Sequence, residues 1–488
     1  VDAMIEGHRP ARNFGWIMAV SLAIAILLAG VSPNRAWAEE EAPSPQPNSV
    51  LEKPNTYSSP SVKSPTPTEW FSEFYEWGSN NLTGSWFGAR SFLGDHGVVL
   101  DILYVAIPTG NLSGGLDTGF FGGGPLGVTL TVDTERLIGW QGGTLFIDWE
   151  FFSWYNSRYS PTGSYDPTGS YVGSNTNFID ASESHLNQIA QLYYRQSLFD
   201  DRLSIQLGKM DSNVIFAAVE AAGAFQDSIA MYSSTLNPYF PTYPNESTAI
   251  AATLAPVEFF SFSAGLFDGT TAAYDRATGM SGPATGPRGP DTFFNNDGHW
   301  FVIAQANAFW EIDPSRPGSV GIGGWVQTGA TQSPSTDLVV ENVPGALLQW
   351  QQTLWAPTAK LASQGGGIRF FGQFGWSDPE KNPIHWSLMA GFSATGIIPR
   401  RPADALGLMG AYSRFTHDHD VYRSQLPTGT STGPGGGTES SIEAFYLAQI
   451  TASMYLQPGL LWIRTPGGGN PAPLGNALTL YLLFGVNL

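Results

Sequence analysis

Cysteine is absent from all 488 residues, which removes disulfides, thiolate metal sites, a thiol nucleophile and a lipid-modified cysteine together. Charge is scarce as well: 13% of residues are Asp, Glu, Lys or Arg, against roughly 25% in ordinary soluble domains. Basic residues are the scarcer kind, 22 against 41 acidic for a net charge of −19. Nucleic acid is thereby excluded as a partner, since phosphate contacts need a basic face. Beyond residue 31 no run reaches the roughly 18 consecutive apolar residues of a membrane helix. The 42% of hydrophobic residues is therefore dispersed along the chain, as in the alternating strands of a membrane barrel.

The N-terminal stretch reads as an address. His8, Arg9 and Arg12 precede an apolar stretch from Trp16 to Val31, and Ala36-Trp37-Ala38 supplies a small-x-small triplet. That order predicts a signal peptide over residues 1–38, cut after Ala38. Residues 39–68 carry seven prolines among Ser, Glu and Asn, too little apolar area to offset chain entropy, so a disordered tether is expected. Trp70, Phe71, Phe74 and Trp77 recur at helical spacing behind Thr68, predicting a short amphipathic helix in a lead-in over 69–96.

From 97 to 488 the period is two. Leu126, Val128, Leu130 and Val132 alternate with Gly127, Thr129, Thr131 and Asp133; Leu145, Ile147, Trp149 and Phe151 alternate with Thr144, Phe146, Asp148 and Glu150. At the far end Leu478, Leu480, Leu482, Phe484, Val486 and Leu488 share one parity. Neighbours on a strand point to opposite faces, so one parity meets lipid while the other, mostly small or polar, meets water. Large aromatics of the outward set, among them Trp140, Trp149, Trp300, Trp310, Trp376 and Trp386, suit interfacial girdles. A soluble sandwich would instead need a packed core on the second parity. Fifteen such segments begin near residues 98, 126, 144, 186, 202, 246, 259, 300, 319, 367, 384, 405, 441, 454 and 476. Bacterial barrels favour even counts, and a sixteenth is expected at Ser212 to Ala222 or Ala346 to Trp355. The expected fold is a closed antiparallel transmembrane β-barrel, because hydrocarbon tolerates no unpaired sheet edge. The Gly-, Ser-, Thr- and Pro-rich stretches Ser157 to Asn177, Asp268 to Asp297 and Pro427 to Thr438 read as long loops, any of which is free to fold inward.

The run Leu82-Thr83-Gly84-Ser85-Trp86-Phe87-Gly88-Ala89-Arg90 resembles the opening of the carbohydrate-selective outer-membrane porins of the OprB type. So do Leu203 to Gly208 leading into Lys209-Met210-Asp211-Ser212-Asn213, Gly396 with Pro399, Arg401-Pro402 and Asp404 to Gly407, and Leu456-Gln457-Pro458 with Pro466-Gly467-Gly468. The series is in order over nearly all of the chain past the tether. It departs from the family pattern at Arg400, where Gly usually precedes Arg-Pro, at Leu461, where Gln commonly stands, and at the terminal Leu488 in place of an aromatic. The resemblance implies sixteen strands, no enzyme activity, and diffusion of sugars across the outer membrane, with outer-membrane lipid, lipopolysaccharide and the barrel-assembly machinery as partners. It does not fix the oligomeric state.

Sugars offer hydroxyl edges and an apolar ring face, so a sugar pore wants charged or amide groups beside aromatic platforms. Inward parity places Asp101, Asp148, Glu150, Trp325, Arg369 and Glu443 in the lumen, and the family motifs add Arg90, Lys209, Asp211, Arg401 and Asp404. These are the candidate constriction residues. The competing role for each is structural: lumen charges pairing across the wall, and Trp325 packed in the interior. His417, Asp418, His419 and Asp420 read as a solvated loop, since i, i+2 ligands without further clustered His make a poor metal site. No cofactor is expected, and no nucleophile elbow or P-loop occurs. The alternatives to a sugar pore are a general or anion-selective porin and, from another class, a barrel enzyme or adhesin with a plugged lumen.

Overall fold

The computed structural model describes residues 81–155, 171–174, 185–270, 274–275, 280–281, 290–333, 338–416, 437–469 and 474–488. The expected signal peptide, tether, helix near Trp70 and the His417 to Asp420 motif lie outside these residues. Among the described residues no helix is long and apolar enough to cross a membrane.

Seventeen extended segments form one antiparallel sheet. Two of them, Val98–Ala106 and Thr109–Gly115, are halves of one strand, since both pair with the same two neighbours. Sixteen strands result, and the last pairs back to the first. They are β1 (the two halves), β2 Gly119–Asp133, β3 Gly143–Tyr155, β4 His185–Leu198, β5 Leu203–Met210, β6 Ser247–Val257, β7 Phe260–Asp268 and β8 Trp300–Glu311. The circuit continues with β9 Pro317–Gln327, β10 Val343–Trp355, β11 Gly367–Ser377, β12 Ile384–Thr395, β13 Ala405–Phe415, β14 Thr438–Gln449, β15 Met454–Arg464 and β16 Gly475–Asn487. Closure leaves no sheet edge, which the hydrocarbon requires. Ala346 to Trp355 supplies the sixteenth strand, as part of β10; Ser212 to Ala222 does not, because it belongs to the connection between β5 and β6.

The outward parity meets lipid as expected: Leu207 is 57% exposed, Leu408 55% and Phe392 48%. Girdle tryptophans find amide partners for their indole N–H, Trp140 on Gln196 at 2.8 Å, Trp310 on Gln352 at 2.8 Å and Trp149 on Asn187 at 2.7 Å. This amphipathic use of Trp is typical of an interface. A short helix, α1 (Ala89–Asp95), precedes β1.

The inward parity is not uniformly small or polar, and here the sequence expectation needs correcting. Phe267, Phe301, Trp325, Phe371, Met389, Met409, Phe445 and Leu461 all point inward and are all buried. They are buried because the connection of residues 211–246 folds into the lumen and lies on them. The eight-residue β5 is short beside the fourteen-residue β4. Asp211 ends it by accepting the Asn213 amide at 2.7 Å, a local cap that turns the chain inward. Where β5 ends, side chains bridge the two strands instead: Lys209 Nζ donates to the Ile189 main-chain carbonyl of β4 at 2.8 Å, and the main-chain N–H of Asp211 donates to the Gln191 side chain of β4 at 3.1 Å.

Candidate functional site

The inward loop docks in two apolar clusters. Phe225 packs edge-on against Phe371 at 5.5 Å and Phe445 at 4.8 Å between centroids, while Phe240 meets Phe301 at 5.7 Å. An irregular loop inside a barrel brings main-chain groups that find no strand partner, and leaving them unpaired is costly. Inward side chains of the wall take that role. Gln305 of β8 accepts from Ala217 N at 2.9 Å, Gln351 of β10 from Ala221 N at 3.0 Å, and Gln349 donates to the Ala218 carbonyl at 2.9 Å. Gln373 of β11 donates to the Ile229 carbonyl and Gln457 of β15 to the Ala224 carbonyl. Hydroxyls of Ser387 and Ser413 meet Ser233 and Ser234.

Glu443 of β14 is the strongest of these anchors. Its carboxylate, fully buried, accepts Gln226 N at 2.8 Å, Asp227 N at 2.9 Å and the Tyr481 hydroxyl at 2.6 Å. Ser441 adds a bond to Asp227 Oδ2 at 2.7 Å. Charge-assisted bonds of this kind are about twice as strong as neutral ones.

The wall of β1 to β4 carries the acidic groups. Asp101, Thr129, Asp148 and Gln191 stand in one cross-strand row, and Glu150 stands beside Gln188 in the next. Thr129 donates to Asp148 at 3.2 Å, and Glu150 Oε2 is buried with no hydrogen-bond partner. Gly127 sits in the Glu150 row with nothing within 4 Å of the position its Cβ would take, so the lumen is open at this point. At the base of the loop Gln188 donates to Glu246 Oε2 at 3.2 Å, and Lys209 Nζ lies 3.4 Å from Gln188 Oε1. Burial, and then the negative charge of Asp211, push the Glu246 carboxyl up to about 8, with Lys209 opposing. Asp211 is raised mainly by burial, against the bonds from Thr242 and Asn213.

The sequence-derived candidates thus separate into three places. Asp101, Asp148, Glu150, Lys209 and Asp211 come together on or beside the open wall. Glu443, Trp325 and Arg369 face the loop: Trp325 is buried between Tyr239 and Phe301, and Arg369 pairs with Glu220 of the loop at 2.9 Å. Arg90, Arg401 and Asp404 sit elsewhere. Arg90 stacks over Trp86 at 4.1 Å and donates to the Leu488 main-chain oxygen at 2.8 Å. Arg401 pairs with Asp404 at 2.8 Å in the turn before β13, where Asp404 also accepts from Gln449 N at 3.0 Å and from Tyr446. Arg400 in that turn has φ 64°, the left-handed region that favours glycine, which accounts for the family's usual Gly. The residues that sequence reasoning missed are the loop anchors Gln305, Gln349, Gln351 and Gln457; their signal was amides at inward parity midway along apolar strands.

No curated protein matches the sequence. Among solved structures, the high-pH structure of Pseudomonas putida OprB is similar with a TM-score of 0.69 at 18% identity, covering 85% of this chain and all of that one. The low-pH structure of the same protein gives 0.50 at 16% identity with the same coverage; at such identities the likeness is one of fold. A sequence model of the carbohydrate-selective porin, OprB family, matches residues 122–486. With a closed barrel, a lipid-facing outer parity and a lumen narrowed by an inward loop, the chain belongs to the OprB family of carbohydrate-selective porins, which act in the outer membrane.

Proposed function

We propose that small neutral sugars cross between the inward loop and the wall of β1 to β4, touching Asp101, Asp148 and Glu150 on the way, with Asp211 at the loop's base. The observation that carries this reading is the free space over Gly127 within the cross-strand rows that hold Asp101, Asp148 and Glu150. Carboxylates accept hydrogen bonds from sugar hydroxyls as water does, so a neutral sugar exchanges partners at little cost. An anion meets an acidic wall whose nearest base, Lys209, is committed to Ile189 and Gln188. The acidic lining disfavours an anion-selective pore, and the loop's narrowing disfavours a general one. The proposed role is that of a channel, with no bond made or broken in the solute.

Single channels in planar bilayers test it. Small cations are expected to outrun chloride, and neutral sugars to modulate the current; Asp148→Asn is expected to lower both the cation preference and the sugar effect. Anion preference in the unaltered protein would overturn the reading.

A further inference from the structure

Trp325, the aromatic platform expected from the sequence, lies under the loop between Tyr239 and Phe301. The open wall carries a different aromatic pair. Phe146 of β3 and Tyr193 of β4 stand opposite each other at inward parity and stack, with ring centroids 4.9 Å apart and planes 23° from parallel. Their row runs from Val99 through Thr131, Phe146 and Tyr193 to Gly208 of β5. Rings stacked across strands turn their outer faces along the row, and the neighbours there, Thr131 and Gly208, are too small to cover them. Tyr193 packs against the apolar cluster beneath the loop, which leaves the Phe146 face over Thr131 as the one presented to the lumen. Val99, at the head of the row, is 37% exposed, so water reaches this stretch of wall. Polar groups flank the pair on both sides. Asp148 and Gln191 stand two residues away toward the long loops, Thr144 and Arg195 two residues away toward the short turns, each about 6.6 Å along the strand.

We infer that Phe146 is a stacking platform for one face of a pyranose ring, whose hydroxyls turn to Asp148 and Gln191 on one side and to Arg195 on the other. A pyranose carries C–H groups on its faces and hydroxyls around its edge, so an aromatic ring set between two polar rows meets both parts at once. Tyr193 is a positioning residue: it holds the Phe146 ring upright from behind. An open-chain hexitol offers hydroxyls in similar number but no flat C–H face. The platform therefore selects ring sugars over acyclic polyols of equal carbon number. This selectivity rests on the sugar-pore reading above and supplies the apolar half of recognition, which the carboxylates of that reading cannot.

D-glucose and D-glucitol are compared on single channels of the full chain in planar bilayers, and the concentration giving half of the current modulation is read for each. In the unaltered protein glucose is expected to act at a concentration about 5-fold lower than glucitol, the worth of one aromatic contact. Phe146→Leu, which keeps apolar bulk without the aromatic face, should raise the glucose value about 5-fold and leave the glucitol value within about 2-fold, whereas Phe146→Tyr should keep the gap. The comparison in the unaltered protein needs no variant to fold. Equal responses to the two solutes there, a gap that survives Phe146→Leu, or a rise for both solutes together in that variant overturns the platform. Each of these leaves the pore reading standing so long as Asp148→Asn still weakens the sugar effect. No glucose response in the unaltered protein overturns both.

Discussion

The two halves of the inner wall are built of the same strands to opposite ends. From β8 to β15 the inward positions covered by the loop are mostly Phe, Met, Leu, Gln and Ser, with Glu443 as the one carboxylate among the loop's anchors named above; from β1 to β4 the middle of the wall carries Asp101, Thr129, Asp148, Glu150 and Gly127, and it stays open over Gly127. The difference teaches that in a barrel the inner parity does not report water as such. It reports what covers it: apolar groups, amides and a single buried carboxylate where the loop docks, and several carboxylates with a glycine where the wall is left open. A buried amide serves a docked main chain because it both donates and accepts, whereas an aliphatic residue there would leave the loop's N–H groups unpaired.

The covered half breaks most severely through its packing. Phe225→Ala removes the ring held by Phe371 and Phe445, at about 3–5 kcal/mol for a buried aromatic. The loop should then undock in a large fraction of molecules, seen as a several-fold rise in single-channel conductance and loss of sugar discrimination. Next comes Glu443→Ala, which strands the Gln226 and Asp227 amides at about 1–3 kcal/mol each; a noisy channel of raised conductance is expected, and Glu443→Gln, which keeps an acceptor, should fall between it and the unaltered protein.

The junction between the halves should respond to pH. Glu246 has an ordinary value of 4.5 and is pushed up to about 8. The docked loop therefore holds a proton that the undocked loop releases between those values. Docking weakens as pH rises through that window, with the loss complete above it. Conductance noise recorded across the window should rise with pH, and Glu246→Gln should flatten the dependence; an unchanged slope in that variant would remove Glu246 from the account. The smallest effect belongs to neither half: Arg401→Ala cuts a turn-bracing pair with Asp404, so permeation rates of neutral sugars of graded size should stay within experimental scatter in liposome swelling.

Much of the fold was legible because lipid imposes a period of two. The parity of Leu126 to Val132 and of Leu478 to Leu488 placed those strands and their outer faces; the evenness rule asked for one strand more but left Ser212 to Ala222 and Ala346 to Trp355 equally open, and the structure chose the second. The candidate site was legible only in part. Asp148 and Glu150 lie where their parity put them, but Glu443 at the same parity is an anchor under the loop, and Arg90 and Arg401 brace chain ends and turns. No rule of spacing separates these, because an inward carboxylate looks the same whether a solute or a main-chain amide will meet it.

What the sequence alone determined is the barrel: alternation is a local property, written residue by residue, and one lipid-facing side per strand with no free edge leaves closure as the way to satisfy every backbone group. Only the tertiary structure decided where the lumen narrows. The loop has no period to read, and its partners are distant in the chain, Glu443 lying 216 residues beyond Asp227. Which inward residues are covered and which touch solute is fixed when those remote strands close into a wall and the loop settles on one side of it.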